Sequence, residues 1–198
     1  MGLEKIKNYF TPSSVLDIGA NVGQFYNEIK QILPNAYYYL IEGNERCEIV
    51  LQTLDVDYSI SLLSDKVKEV KFYTRINDER CTGNSKTSFY SDDEIIIKTE
   101  TTTTLDILIK GKQFDLIKLD VQGSELDVIN GGLDLIKNSK GVLMEVSLIE
   151  YNENAPTKDF VYKFMEKLDF YPAEIIGDIN HPITYQLIQQ DILFIKNN

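Results

Sequence analysis

From Ser13 onward, short apolar runs alternate with stretches of helical period, and that alternation restricts the chain to few architectures. Runs this apolar suit strands covered on both faces, and successive parallel strands need a crossover that a helix supplies. The first run, residues 15–18, is followed by a glycine turn and a helical stretch at 24–33 that stops near Pro34. A strand at 37–41, a helix at 46–54 and a strand at 58–62 continue the pattern. The predicted fold is α/β, a doubly wound and mostly parallel sheet. Tyr37, Tyr38 and Tyr39 alternate across the second strand and read as packing residues.

Two β-like segments, 67–73 and 95–102, interrupt the alternation, the second rich in β-branched threonine. Between them, residues 74–93 are polar and long enough to be expected as a lid or insertion loop. Thr104 is placed to cap a short helix reaching Lys110. Alternation resumes with a strand at 114–119, then a helix opened by Ser124, with Asp127 three residues on in a capping-box-like arrangement. A strand at 141–146, an amphipathic helix at 158–168 and strands at 171–176 and 191–196 follow. No helix fits between the last two strands, which predicts an antiparallel hairpin at the sheet edge. Residues 1–198 are expected to share one core as a single domain.

The strongest local signal is Asp17-Ile18-Gly19-Ala20-Asn21-Val22-Gly23, set between a predicted strand and a predicted helix. Gly19 and Gly23 allow a tight turn and close approach of backbone to a ligand. A dinucleotide fingerprint would carry a second glycine where Asn21 stands, which argues against a pyrophosphate. Asp17 points the same way, because a carboxylate repels phosphates but suits a cationic or hydroxyl-rich ligand. S-adenosylmethionine, with a sulfonium, an ammonium and no phosphate, fits that description.

Further acids end the later strands. Glu42 is positioned to accept hydrogen bonds from both ribose hydroxyls of a nucleoside, and Ser64 with Asp65 is placed to meet an adenine ring. Asp120, in the run Ile117-Lys118-Leu119-Asp120-Val121-Gln122-Gly123-Ser124-Glu125, falls at the expected topological switch point, where ligands of such sheets bind. Glu145 ends the next strand and faces the same crevice, while Glu125 is placed to favour a helix N-terminus.

With these pieces in view, the chain resembles FkbM-type methyltransferases over almost its full length. The resemblance rests on residues 15–25, Ile41-Glu42-Gly43, Thr104-Leu105-Asp106, residues 118–125 and Asp191-Ile192-Leu193-Phe194. It implies a seven-stranded Rossmann-like methyltransferase sheet with a reversed last strand, S-adenosylmethionine as cofactor, and O-methylation of a sugar, glycan or other small metabolite. A hydroxyl acceptor benefits from a general base. Asp120 is the first candidate, followed by Glu145 and by His181, a loop histidine before the final strand. Two other readings stay open on the residues alone: a nicotinamide-dependent oxidoreductase, disfavoured by Asn21, and a nucleoside-binding module without turnover.

Composition narrows the partners. Twenty Lys and Arg against 31 Asp and Glu give a formal charge of -11, which argues against nucleic acid. Cys47 and Cys81 form no CxxC and His181 is the single histidine, so no disulfide framework or zinc site is expected and a reducing, cytoplasmic setting is. The start lacks the apolar run of a signal peptide, and no stretch is long and apolar enough for a membrane span.

Overall fold

The computed structural model describes residues 2–75, 95–149, 156–181 and 184–197. Its first half contains β1 (Ser14–Ile18), α1 (Gln24–Ile32), β2 (Tyr37–Glu42), α2 (Glu48–Leu51) and β3 (Asp57–Ile60), then β4 (Glu69–Arg75) and β5 (Ile95–Thr101). The second half contains α3 (Leu105–Leu108), β6 (Leu116–Leu119), α4 (Glu125–Asn130), α5 (Leu133–Lys137), β7 (Gly141–Ser147), α6 (Lys158–Lys167), β8 (Phe170–Asn180) and β9 (Leu187–Lys196). Seven strands form one sheet in the order β3-β2-β1-β6-β7-β9-β8. Neighbours from β3 through β7 are parallel, and β9 runs antiparallel to both β7 and β8.

The expected doubly wound architecture and the antiparallel β8–β9 hairpin at the sheet edge are present. β9 lies inside the sheet, and β8 forms the edge. The residues explain this: β9 is buried along most of its length, whereas β8 alternates between burial and exposure as a strand with one free side does. The helix expected at 46–54 is a 3-10 turn at Glu45–Cys47, capped by the Asn44 side chain, that runs into the short α2. Thr104 caps α3 by accepting from the Ile107 amide, as expected. Ser124 makes no side-chain cap bond, so the capping box is not formed.

β4 and β5 pair antiparallel with each other as a separate hairpin, from Glu69 opposite Thr101 to Arg75 opposite Ile95. Of the stretch expected as a lid, Thr74 and Arg75 belong to β4, and residues 76–93 lie outside those described. Cys81 lies outside them too.

Alternation within each central strand divides two cores. Leu16, Ile18, Ile117, Leu119, Val142, Met144, Ile192 and Phe194 face α3, α4, α5 and α6. Val15, Leu116, Leu143 and Leu193 face α1, α2 and the N-terminal 3-10 turn at Leu3–Asn8. The period of two then sends Asp17, Lys118, Glu145 and Asp191 to this second face, near the carboxyl ends of the parallel strands. The sheet therefore gathers polar side chains from four strands beside the switch between β1 and β6.

Candidate active site

The glycine loop takes the shape its residues allow. Gly19 has φ +76° and Gly23 φ +82°, and Asn21 adopts a left-handed φ of 53°. The amides of Gly19 and Ala20 both donate to the Ile41 carbonyl, which fixes the loop to the end of β2. A Cβ at Gly19 would stand 1.8 Å from the Asp120 carbonyl oxygen, so the loops after β1 and β6 meet where only glycine fits.

Glu42 completes the loop from the β2 side. Its Oε2 accepts from the Asn21 amide at 2.8 Å and its Oε1 from the Asn44 amide at 2.7 Å. Burial pushes its carboxyl above the usual range, and the two amides oppose that rise. Each oxygen keeps a further lone pair for a ligand donor.

Lys118 stands at the centre. It is paired in register with Asp17, and its Nζ lies 3.4 Å from Asp17 Oδ1, 3.2 Å from Asp120 Oδ2 and 3.3 Å from the Gly19 carbonyl oxygen. Its ammonium also faces the Phe25 ring, 5.6 Å from the centroid. Burial alone would lower its pKa, but Asp120 and Asp17 hold it above the ordinary lysine value. Asp17 is 1% exposed, and burial raises its carboxyl while Lys118 pulls it back. A buried lysine flanked by two carboxylates ties β1 to the loop after β6.

A second network extends from Asp120 toward β7 and β9. Gln122, with a left-handed φ of 55°, donates through Nε2 to Asp120 Oδ1 at 2.9 Å and to Glu145 Oε1 at 3.2 Å. Gln189 donates to the same Glu145 oxygen. Burial pushes the Glu145 carboxyl well above the usual range, and Asp120, Glu125 and Asp191 push the same way. Glu125 folds back to accept from the Val121 and Gly123 amides, and burial raises its carboxyl to about 7. It therefore organises the loop before α4, which goes beyond the dipole role expected of it.

Two connected spaces open from these residues. The larger, about 690 Å³, is lined by the glycine loop, Glu42, Lys118, Asp120, Gln122, Glu145 and Asp191 among others. The narrower one runs past Glu42, Gly43, residues 61–63, Phe72 and Asp120. Gly19, Glu42 and Asp120 line both.

Half of the ten residues singled out in the sequence meet here: Gly19, Asn21, Glu42, Asp120 and Glu145 line the larger space. Asp17 lies behind it, held by Lys118. Gly23 sits at the α1 N-terminus, where a Cβ would stand 2.6 Å from the Leu54 side chain. Ser64 and Asp65 line neither space: Ser64 is buried, and Asp65 accepts from Lys68 and from Ser64. Because β3 ends at Ile60, residues 61–63 face the crevice in their place. His181 lies at the β8–β9 turn, where its Nδ1 accepts from the Thr184 amide, and it lines neither space. Lys118, Gln122 and Asp191 were not expected as site residues. The signal for Lys118 was a lysine inside a strand otherwise apolar; the positive φ of Gln122 left no mark in the sequence.

The comparisons with known proteins agree with this geometry. The family model of the methyltransferase FkbM domain matches residues 17–172. A methyltransferase FkbM from Methylobacillus flagellatus superposes with TM-score 0.56 at 12% identity, over 93% of this chain and 44% of that one, so the chain spans less than half the length of that relative. The 1,6-didemethyltoxoflavin-N1-methyltransferase of Burkholderia thailandensis, solved with 1,6-didemethyltoxoflavin and S-adenosylhomocysteine, gives TM-score 0.55 at 12% identity over 99% and 77% of the two chains. The plantazolicin methyltransferase BpumL, in complex with a triazolic desmethylPZN analogue and SAH, gives 0.50 at 15% identity over 98% and 81%. No curated protein matches the sequence significantly. Among the described residues, no helix is long and apolar enough to cross a membrane. The chain belongs to the FkbM methyltransferase family, with S-adenosylmethionine as its cofactor.

Proposed function

We propose that the chain transfers the methyl group of S-adenosylmethionine to a hydroxyl oxygen on a sugar, glycan or other small metabolite. The observation that carries this reading is Glu145: a half-buried carboxylate of raised proton affinity, held by Gln122 and Gln189, on the same cavity as the glycine loop. Such a group, once ionised, is a stronger base toward a hydroxyl proton than an ordinary carboxylate.

The residues present fit the cofactor. Gly19 lets the loops after β1 and β6 close on each other at the wall of the larger cavity, and Glu42 keeps acceptor capacity toward a ribose diol. Among the described residues the cation lining the larger cavity, Lys118, is already engaged by Asp17 and Asp120, which suits a ligand without phosphates. Bound there, S-adenosylmethionine supplies a methyl carbon activated by its sulfonium. We assign Glu42 to the ribose, Gly43 and residues 61–63 to the adenine side, and Gly19, Asn21 and Asp120 to the methionine side, with Asp17 and Gly23 shaping the loop. Ser64 and Asp65 support the adenine side from behind.

Glu145 accepts the hydroxyl proton as the oxygen–methyl bond forms and the carbon–sulfur bond breaks. Asp120, locked by Lys118 and Gln122, orients the reacting groups; alignment of this kind contributes roughly 7–11 kcal/mol in favourable cases. His181 enters only if the β8–β9 turn moves inward. All seven strands converge on this site, which supports reading residues 1–198 as one domain. The charge of -11 supports a small acceptor over nucleic acid, and the cysteine usage supports a cytoplasmic setting.

The test is calorimetry with S-adenosylhomocysteine followed by mass spectrometry of methyl transfer to paired hydroxyl and amine acceptors. Transfer to oxygen is expected. Transfer confined to nitrogen or carbon would overturn the O-methylation reading.

A further inference from the structure

Resting on that reading, we infer that the acceptor carries an ammonium group beside its hydroxyl, and that Asp191 is the carboxylate that holds it. The larger cavity, about 690 Å³, suits an organic ligand of modest size. Among the described residues six carboxylates line it, those of Glu28, Glu42, Asp120, Glu145, Asp178 and Asp191, against the cation Lys118, and the N-terminal ammonium adds a second positive charge acting on Asp191. Lys118 cannot balance them, because it donates to Asp120 and the Gly19 carbonyl and is ion-paired with Asp17. S-adenosylmethionine brings a single net positive charge, which still leaves an excess of acid.

Asp191 gives the excess a location. It is 9% exposed, lines the cavity, and makes no hydrogen bond or ion pair with its side chain among the described residues. Its neighbours all have partners: Glu145, opposite it in the β7–β9 register, accepts from Gln122 and Gln189, and Asp178 accepts from Gln190. A desolvated carboxylate without a donor is a costly feature unless a ligand completes it. Burial, with Asp120 adding to it, raises its carboxyl to about 6 although Lys118 and the N-terminal ammonium pull it down, so it remains mostly ionised at neutral pH and is stabilised further by an arriving cation. An ammonium fits better than a metal ion, because among the described residues no three acidic, histidine or cysteine side chains converge to hold a metal.

Titration calorimetry of the full chain, with and without saturating S-adenosylhomocysteine, tests the inference. The probes are glucosamine, 2-deoxystreptamine, their N-acetylated counterparts and Mg²⁺ alone. The amines are expected to bind at least about tenfold more tightly than their N-acetyl forms. Asp191→Asn, which keeps the side chain's shape, should abolish that preference while a thermal melt reports whether it stays folded. Equal binding within each pair, binding of neither member, a preference that survives in D191N, or Mg²⁺ binding in place of the amines would each overturn the inference. Failure of S-adenosylhomocysteine to bind would instead overturn the methyl-transfer reading, and the amine preference would still be scored without it.

Discussion

Replacing Lys118 by Met should destabilise the fold far more than a change of one exposed charge. Methionine matches the length of the lysine stem, so packing against Phe25 is largely retained and the lost quantity is the charge. Asp17 stays 1% exposed and loses the ammonium 3.4 Å away, and Asp120 loses the one at 3.2 Å. Breaking a buried pair by removing one partner costs about 3–5 kcal/mol. For a chain of this size each kcal/mol corresponds to about 2–4 °C in Tm, so a fall of about 6–20 °C is expected in circular-dichroism melts. The deficit should depend on pH with a definite sign. Burial already raises Asp17 above its ordinary value despite Lys118, and K118M raises it further. An acid with a raised folded pKa costs stability above that value, and the cost disappears as pH falls through it. The deficit of K118M relative to the wild type should therefore shrink as pH falls through the raised Asp17 value. A second variant, D17N/K118M, removes the stranded charge and should recover at least half of the loss. A deficit under about 2 °C, a deficit that grows toward acid, or no recovery in the double variant would refute the reasoning.

Gly19→Ala places a methyl 1.8 Å from the Asp120 carbonyl oxygen at φ +76°, so S-adenosylhomocysteine affinity should fall by at least about 100-fold in calorimetry, a change of about 2.8 kcal/mol; unchanged affinity would remove the loop from the site. Glu42→Gln should weaken S-adenosylhomocysteine binding by about 10- to 150-fold through loss of charge-assisted hydrogen bonds. Glu145→Gln should lower kcat by about 10²- to 10⁴-fold with little change in cofactor affinity. Because burial raises the Glu145 carboxyl, wild-type kcat should climb with pH as that group deprotonates, and the climb should be absent in E145Q.

Elements set by local chemistry were readable from the sequence: the strand–loop–helix at Ser14–Ile18 and Gln24–Ile32, and the Thr104 cap. The glycine loop and the acids ending β2 and β7 were legible because a parallel sheet converts strand ends into site positions. What stayed hidden depends on contacts between distant segments. Glu125 outcompetes Ser124 as the acceptor for the loop amides only because the turn before α4 folds back, and no local pattern reports that. The placement of 61–63 instead of Ser64 and Asp65 hinges on where β3 ends, and strand ends are the least certain part of a sequence reading. Asp191 looked like the first residue of the last strand; its importance comes from pairing opposite Glu145.

The insertion of β9 between β7 and β8 has a consequence for biosynthesis. β8 leaves the ribosome before β9, yet its only route into the sheet is through β9, so neither β8 nor the outer edge of β7 can be satisfied until residues 187–196 have been made. A nascent chain at that stage exposes the apolar edge of β7 with unpaired amides and carbonyls, the kind of surface that recruits other strands. The pairings that close it are antiparallel and span long sequence separations, which slows their formation. Asp191 and Gln189 arrive with the same strand, so the polar end of the site and the final closure of the sheet are assembled in one event. Ribosome-stalled chains ending before Leu187 should accordingly be held by chaperones that bind extended apolar segments, and release should coincide with β9 docking.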